Sequence, residues 1–368
     1  MNSKTIQIAL LPGDGIGPEI MAATKPVIEA VGRSADLDFE LVEDYVGGAG
    51  YDVYGIPLSE QTLKLCKKSD FILLGAVGGP KWSDVAYDKR PEAAILSLRK
   101  ELGLFANLRP AIVFDALIEA SSLKAEIVRG LDILIVRELT GGIYFGEPRG
   151  IEQLENGERR GINTQTYTSS EIRRIAEIAF ELAGQRTGRV TSTEKSNVME
   201  SGMLWREEVS HLHSETIYKS IKLDHMYADN VAMQLLKDPG QFDIILTDNL
   251  FGDILSDEAA MITGSIGMLP SASLGAAEPE TGRRHALYEP VHGSAPDIAG
   301  QGKANPLAMI LSFSMALKYS LNMPDLADRL NQAVSDALQD GYRTVDIAGK
   351  NKNILSTHEM GCKILDYF

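Results

Sequence analysis

The sequence predicts an α/β protein large enough for two domains, and three observations carry that prediction. Short apolar runs recur along the chain: IQIALL, FELVED, FILLGAV, ILIVREL and FDIILTD. Segments with helical periodicity lie between them, such as Glu171–Ala183 and Val231–Leu236, and this alternation marks sheets packed against helices. The length of 368 residues exceeds what one ordinary core serves.

The first strand, Ile6–Leu11, runs into LLPGDGIGPEI. Gly13, Gly15 and Gly17 alternate there, which raises the dinucleotide fingerprint Gly-x-Gly-x-x-Gly. Pro18 holds the place of the third fingerprint glycine. It has no N–H to offer a phosphate, but it suits the first turn of a helix. The better reading is a strand, a tight glycine turn, and a helix from Pro18. Ile20, Met21, Thr24, Val27, Ile28 and Val31 mark the buried face of that helix, and Pro26 predicts a kink or an early stop. GAVGGPKWS is no phosphate loop, because Pro80 and Trp82 stand where that pattern needs Gly and Ser or Thr.

From Gly141 to Thr168 the alternation breaks. Asn156-Gly157 signals a hairpin turn, and NTQTYT reads as a strand with polar residues on both faces. Such a hairpin has little core of its own. It is expected to be an arm that pairs with another subunit, with a mobile flap as the alternative. SSEIRRIAEIAFELAG then forms an amphipathic helix, with Ser169 or Ser170 as N-cap and Gly184 as stop. Arg189–Thr193 follows as a strand.

A net charge of −15 argues against nucleic acid or an anionic membrane as a main partner. In so acidic a chain, clustered arginines become informative. Cys66 and Cys362 are too few for a disulfide framework and read as packing residues. A reducing cytoplasm fits. The first fourteen residues lack leader character, and no apolar run approaches a membrane span.

Four stretches carry candidate chemistry. In NLFGDILSDEAA, Asp253 and Asp257 stand four apart after a break at Gly252. On a helix their Cβ atoms lie roughly 6 Å apart on one face. A solvated acidic face is the bland reading. The apolar flanks Leu250, Phe251, Ile254 and Leu255 argue for partial burial, and buried paired carboxylates need a cation. Oxygen ligands suit Mg²⁺ or Mn²⁺, with a third carboxylate at Asp224 or Asp229. Arg99, Arg109 and Arg137 could be ordinary surface pairs, but a substrate with two carboxylates would use all three. In EKSNVMESG, Lys195 and Asn197 follow a strand. A lysine beside a cation can serve as a base, and Tyr144 is a candidate proton donor. Tyr288–Pro306 is rich in small residues, so a ligand can approach the backbone, and Asp297 could accept both hydroxyls of a ribose. His211 and His213 alternate without further metal-ligand spacing.

Taken in order, LLPGDGIGPEI, GAVGGPKW, SLRKELGLFANLRP, VRELTGGIYFG, EKSNVM, DNLFGDILSDEA and HGSAPDIAG resemble the β-decarboxylating dehydrogenases of the isocitrate/isopropylmalate family, across essentially the whole chain. The resemblance implies an isopropylmalate/isocitrate dehydrogenase-like mixed sheet in two domains, not a Rossmann fold. Residues 1–104 and 264–368 would form the cofactor-side domain. Residues 105–263 would form the second, with the dimer interface and the arm at about 141–168. A homodimer with shared active sites is implied.

The implied reaction is NAD-dependent oxidative decarboxylation of (2R,3S)-3-isopropylmalate to 4-methyl-2-oxopentanoate and CO₂, in leucine biosynthesis. By match, Arg99, Arg109 and Arg137 hold the malate carboxylates. Asp253 and Asp257 bind Mg²⁺ or Mn²⁺ with Asp229 from the partner, where it also meets substrate. Lys195, likewise from the partner, is the base, and Tyr144 protonates the enolate. The matched cofactor contacts are Gly79, Pro80, Glu92, Asn197, Glu289, His292, Gly293, Ser294, Ala295, Pro296, Asp297, Ile298 and Asn305. Asp297 and Ile298 stand where NADP-using relatives carry basic and aromatic residues, so a 2′-phosphate would meet like charge. Ala93 and Ile95 replace the polar pair that isocitrate enzymes use, with Glu92 nearby. The family's usual leucine is Ile95 here, a volume-conserving swap that leaves D-malate, tartrate or 3-methylmalate as alternative substrates. A noncatalytic regulatory subunit would lack parts of this set, and none is missing.

Overall fold

Strands form where the apolar runs stand. The computed structural model describes residues 5–215, 217–350 and 353–368, so Met1–Lys4, part of the stretch read as lacking leader character, lie outside the described residues. In chain order the strands are β1 (Ile6–Gly13), β2 (Phe39–Glu43), β3 (Phe71–Ala76), β4 (Ala106–Ile112), β5 (Asp132–Glu138), β6 (Gly150–Gln153), β7 (Arg159–Ile162), β8 (Arg189–Glu194), β9 (Lys222–Tyr227), β10 (Ile244–Thr247), β11 (Pro270–Leu274) and β12 (Ala286–Pro290). The helices are α1 (Gly17–Ala35), α2 (Gly47–Tyr54), α3 (Glu60–Lys68), α4 (Glu92–Glu101), α5 (Ala125–Val128), α6 (Ser169–Gly184), α7 (Glu200–Glu215), α8 (Ala228–Lys237), α9 (Asn249–Ile262), α10 (Leu307–Tyr319), α11 (Pro324–Gln339) and α12 (Thr357–Tyr367). Among the described residues no helix is long and apolar enough to cross a membrane.

Two compact units result. The first comprises Met1–Leu104, Val113–Ala125 and Thr263–Phe368, and the second Phe105–Ile112 and Glu126–Ile262. Residues 113–125 and Thr263, expected in the second domain, thus group with the first unit.

In the first unit the strands run β2-β1-β3-β12-β11. Neighbours are parallel except β11, which is antiparallel to β12. Strand β3 and helix α10 from Leu307 to Leu317 are buried throughout. Helix α1 does not stop at Pro26 but continues to Ala35. The exposed Ala22 lies four residues before the proline, so the carbonyl left without its helical donor is on the wet side. The buried stripe Ile20, Met21, Ala23, Thr24, Val27, Ile28 and Val31 holds the helix on both sides of it. Cys66 is buried, which pushes its thiol up to about 12. Cys362 is exposed, contrary to expectation. The buried stripe of α12 is Thr357, Met360, Gly361 and Ile364, and residue 362 falls off it.

In the second unit the order is β4-β5-β10-β8-β9, with β4 antiparallel to β5 and the rest parallel. Arg137 lies opposite Thr247, which lies opposite Thr193. The turns after β5, β10 and β8 therefore leave the sheet at one edge, where open α/β sheets place ligands. Helix α6 is capped by Thr168, not by Ser169 or Ser170. The reciprocal cap needs an acidic residue three positions on, and Glu171 satisfies this only from Thr168; its carboxylate accepts the Thr168 N–H at 2.8 Å.

Strands β6 and β7 pair antiparallel in a separate two-stranded sheet, mostly exposed, with the Glu158 N–H donating to Asn156 Oδ1 at 3.0 Å in the turn. NTQTYT is not a strand; β7 ends at Ile162. Its polar groups bond elsewhere. Thr164 Oγ1 donates to the Pro148 carbonyl at 2.6 Å, the Thr166 carbonyl accepts the Gly142 N–H at 3.0 Å, and Gln165 Nε2 donates to Asp248 Oδ2 at 2.8 Å.

Candidate active site

A cluster of charged side chains lies in the second unit, where β5 and β4 contact α9. Arg137 is 4% exposed. Its Nε and Nη2 donate to Asn249 Oδ1 at 3.0 and 2.7 Å, and Nη1 donates to Asp253 Oδ1. Arg109 donates through Nε to Asn107 Oδ1 at 3.0 Å, and through Nη1 to Ser256 Oγ at 2.7 Å and Asp257 Oδ1 at 3.2 Å. The Tyr144 hydroxyl donates to Asp253 Oδ2 at 3.2 Å. Burial pushes the Tyr144 phenol above its ordinary range, and the negative charge of Asp253 adds to that.

Asp253 and Asp257 occupy successive turns of one continuous helix. Gly252 does not break it. That glycine makes room for Arg137, since a Cβ there would sit 2.6 Å from Arg137 Cγ. Asp253 is 37% exposed and Asp257 66%, so only the first is partly enclosed. Glu138, next to Arg137, faces the other way. Its buried carboxylate accepts from Arg174 Nη2 on α6 at 2.7 Å and from the N–H groups of Thr140 and Gly141 at 3.0 and 2.6 Å.

Lys195 follows β8 and is 23% exposed; its Nζ lies 2.7 Å from Asp229 Oδ1 at the start of α8. That hydrogen bond holds the Asp229 carboxyl below its ordinary range. Asp224 is drawn instead to Lys222, at 2.9 Å. Asn197 is exposed. Among the described residues no three His, Cys, Asp or Glu side chains gather closely enough to hold a metal ion. The Asp253/Asp257 donor set is nonetheless all oxygen on one helix face, which fits Mg²⁺ or Mn²⁺ better than a soft metal. A small cavity behind Lys195 is lined by Gln165, Tyr167, Glu194, Trp205 and Asp248. Burial pushes the Asp248 carboxyl up to about 6.

In the first unit most of the expected cofactor residues sit on loops after the parallel strands β3 and β12, with Glu289 on β12 itself and Glu92 at the start of α4. The glycine turn after β1 touches two of them. The Ile16 N–H donates to the Ser294 carbonyl at 2.8 Å, and a Cβ on Gly15 would lie 1.9 Å from that oxygen. The alternating glycines serve backbone-to-backbone contact here. Asp14, buried between them, accepts from the N–H groups of Gly48, Ala49 and Gly78 at 2.8, 2.7 and 2.8 Å. One carboxylate thus ties the Gly79–Pro80 loop and the start of α2 to the glycine turn.

Glu92 stands against this loop, its Oε1 2.8 Å from where a Gly78 Cβ would be. Arg99 Nη2 pairs with Glu289 Oε1 at 3.2 Å. Ile95 packs against the core around Leu98 and Leu102. In the loop after β12, His292 Nδ1 bonds the Gly293 carbonyl at 2.9 Å, while its buried Nε2 has no partner. Ala295 has a positive φ of 38°, and the Ile298 N–H returns to its carbonyl at 3.1 Å. Pro296 and Asp297 are exposed. Asn305 is buried, with Nδ2 3.1 Å from Asp346 Oδ2.

Asp14, Glu138, Asp248 and Asn249 escaped the sequence reading. Each is a polar residue at or just past a strand end, and that position was the one available signal.

A family model described as isocitrate/isopropylmalate dehydrogenase matches residues 7–364. The chain is 60% identical to the 3-isopropylmalate dehydrogenase of Pelagibacter ubique, covering 98% of this chain and 98% of that one. It is 59% identical to the 3-isopropylmalate dehydrogenase of Rhodospirillum rubrum, covering 98% and 96%. The crystal structure of isocitrate dehydrogenase from Methylococcus capsulatus matches with a TM-score of 0.85 at 32% identity, covering 98% of this chain and 99% of that one. By family model, near-full-length relatives and fold, this chain belongs to the isocitrate/isopropylmalate dehydrogenases, a family of decarboxylating enzymes that work with a nucleotide cofactor and a metal.

Proposed function

We propose that the chain oxidises and decarboxylates (2R,3S)-3-isopropylmalate with NAD⁺, yielding 4-methyl-2-oxopentanoate and CO₂ as a step of leucine biosynthesis. The observation that carries this reading is the cluster of Arg109, Arg137 and Tyr144 around Asp253 and Asp257, joined to the name of relatives about 60% identical over nearly the whole chain.

Arg109 and Arg137, with Arg99, bind the two malate carboxylates; planar guanidinium groups suit that task. Asp253 and Asp257, with Asp229 of the partner subunit, would hold Mg²⁺ or Mn²⁺. When bound, the ion supplies electrostatic stabilisation at the C2 oxygen, and NAD⁺ supplies the hydride acceptor. Lys195 of the partner subunit takes the C2 hydroxyl proton as the hydride leaves C2. The bond from C3 to its carboxylate then breaks, and Tyr144 delivers a proton to C3. A phenol is protonated near neutral pH and so carries the proton that this step requires.

Ile95, half-buried on α4, offers an apolar surface to an isopropyl group and nothing to a third carboxylate. Asp297, exposed after β12, accepts the free ribose hydroxyls and repels a 2′-phosphate, which favours NAD⁺. The exposed β6–β7 hairpin supports a homodimer with shared sites, and a cytoplasmic enzyme fits the two free cysteines.

The test is reduced-cofactor formation by the purified chain with Mg²⁺, on 3-isopropylmalate, D-malate, tartrate, isocitrate and homoisocitrate, each with NAD⁺ and NADP⁺. Selectivity for 3-isopropylmalate with NAD⁺ is expected. Better turnover of another acid would overturn the substrate assignment while leaving the charge cluster its role.

A further inference from the structure

Asn249 is fully buried at the first position of α9, behind Asp253. A side-chain amide has two acceptor sites and two donors, and Asn249 uses all four. Its Oδ1 accepts from both Nε and Nη2 of Arg137, at 3.0 and 2.7 Å. Its Nδ2 donates to the carbonyls of Leu139 and Gly141, at 3.1 and 3.0 Å. The partners fix the orientation of the amide, since a guanidinium only donates and a carbonyl only accepts. The Asn249 N–H is itself held by the Tyr167 hydroxyl at 2.9 Å.

Each end of the amide meets a different part of the site. Arg137, gripped along its Nε–Nη2 edge, is left with Nη1 directed at Asp253. Leu139 and Gly141 lead straight into the 3₁₀ turn Gly142–Tyr144, whose tyrosine also reaches Asp253. We infer that Asn249 is a positioning residue whose one amide sets both the guanidinium of Arg137 and the turn that bears Tyr144. The inference rests on the roles proposed above for those two residues. It accounts for a fully satisfied polar group at a buried position that asks for none by packing alone, because a buried amide is retained where it holds other groups in place.

The test is a pair of double-mutant cycles around Asn249→Ser, whose short hydroxyl cannot reach both sides. In the parent chain the substitution should raise KM for 3-isopropylmalate by about tenfold, as the arginine fork loosens. It should also lower kcat by about a hundredfold, the usual cost of a displacement of roughly 1 Å at a reacting group. In an Arg137→Lys background the KM effect should vanish, and in a Tyr144→Phe background the kcat effect should vanish. Equal losses in every background would mark a merely structural residue and overturn the inference. So would parent-like constants in Asn249→Ser alone. Should that variant fail to fold in a thermal melt, the isosteric Asn249→Asp, whose carboxylate still accepts from Arg137 but offers no N–H to Leu139 and Gly141, should lower kcat in the parent chain and not in the Tyr144→Phe background; an equal kcat loss in both would overturn the inference. Parent-like constants in the Arg137→Lys and Tyr144→Phe single variants would instead overturn the functional reading itself.

Discussion

The cluster on α9 and the glycine turn after β1 are held together in opposite ways. Around α9 the work is done by charged side chains, each leaning on another: Arg137 on Asn249 and Asp253, Arg109 on Ser256 and Asp257. Around the glycine turn it is done by backbone, gathered by one buried carboxylate and one carbonyl. The first arrangement depends on charge and tolerates little change in it. The second depends on the absence of side chains and on a single acceptor.

Four substitutions sharpen or break that contrast. Asp253→Asn removes charge where charge matters most and should lower metal-dependent kcat/KM by roughly a thousandfold, equivalent to several kcal/mol of transition-state stabilisation. Near-normal turnover would remove Asp253 from the site. Asp14→Ala should leave activity assays secondary to stability, because it strands three N–H groups. Chemical denaturation should show a loss of about 3 kcal/mol, with faster hydrogen exchange at Gly48, Ala49 and Gly78; unchanged exchange there would show that the carboxylate is not their tether.

Gly252→Ala brings a backbone-space argument into the charge cluster. Its Cβ meets Arg137, so KM should rise by about tenfold, in line with overpacking costs of roughly 1–3 kcal/mol, and an unchanged KM would mean that Arg137 moves freely. Asp248→Asn is the gentlest. Burial raises this carboxyl to about 6 in the folded chain, so the fold favours its protonated form. The stability it lends is complete below the unfolded pKa of about 4 and is lost as pH rises through about 6. The asparagine variant should therefore melt higher than the parent at pH 8, by on the order of 1–2 kcal/mol, and alike near pH 4. An equal gain at both pH values would assign the effect to packing.

Much of this is legible in the sequence. β1, β3, β5 and β10 announce themselves as apolar runs, and the aspartates and arginines of the site by their spacing beside them. What stayed hidden depends on distant partners. Helix α2 begins with Gly47-Gly48, poor helix formers, and its first N–H groups are capped by Asp14, 34 and 35 residues earlier in the chain. NTQTYT has the composition of a strand, yet its hydrogen bonds go to Asp248 and the 142–148 turn. Gly252 reads locally as a helix breaker, but Arg137, 115 residues earlier, requires it. Asn249 and Glu138 look like ordinary polar residues until the sheet sets Arg137 and the Tyr144 turn beside them.

Arg137 and Glu138 are neighbours on β5 that face α9 and α6 respectively. Successive strand residues point to opposite faces, so a slip of one position exchanges them. The carboxylate would then confront Asp253, and the guanidinium would confront Arg174. A misaligned β5 thus inverts the charge on both faces of the sheet at once. Repulsion at Arg137 and Glu138 therefore disfavours a pairing that the apolar run before them would accept.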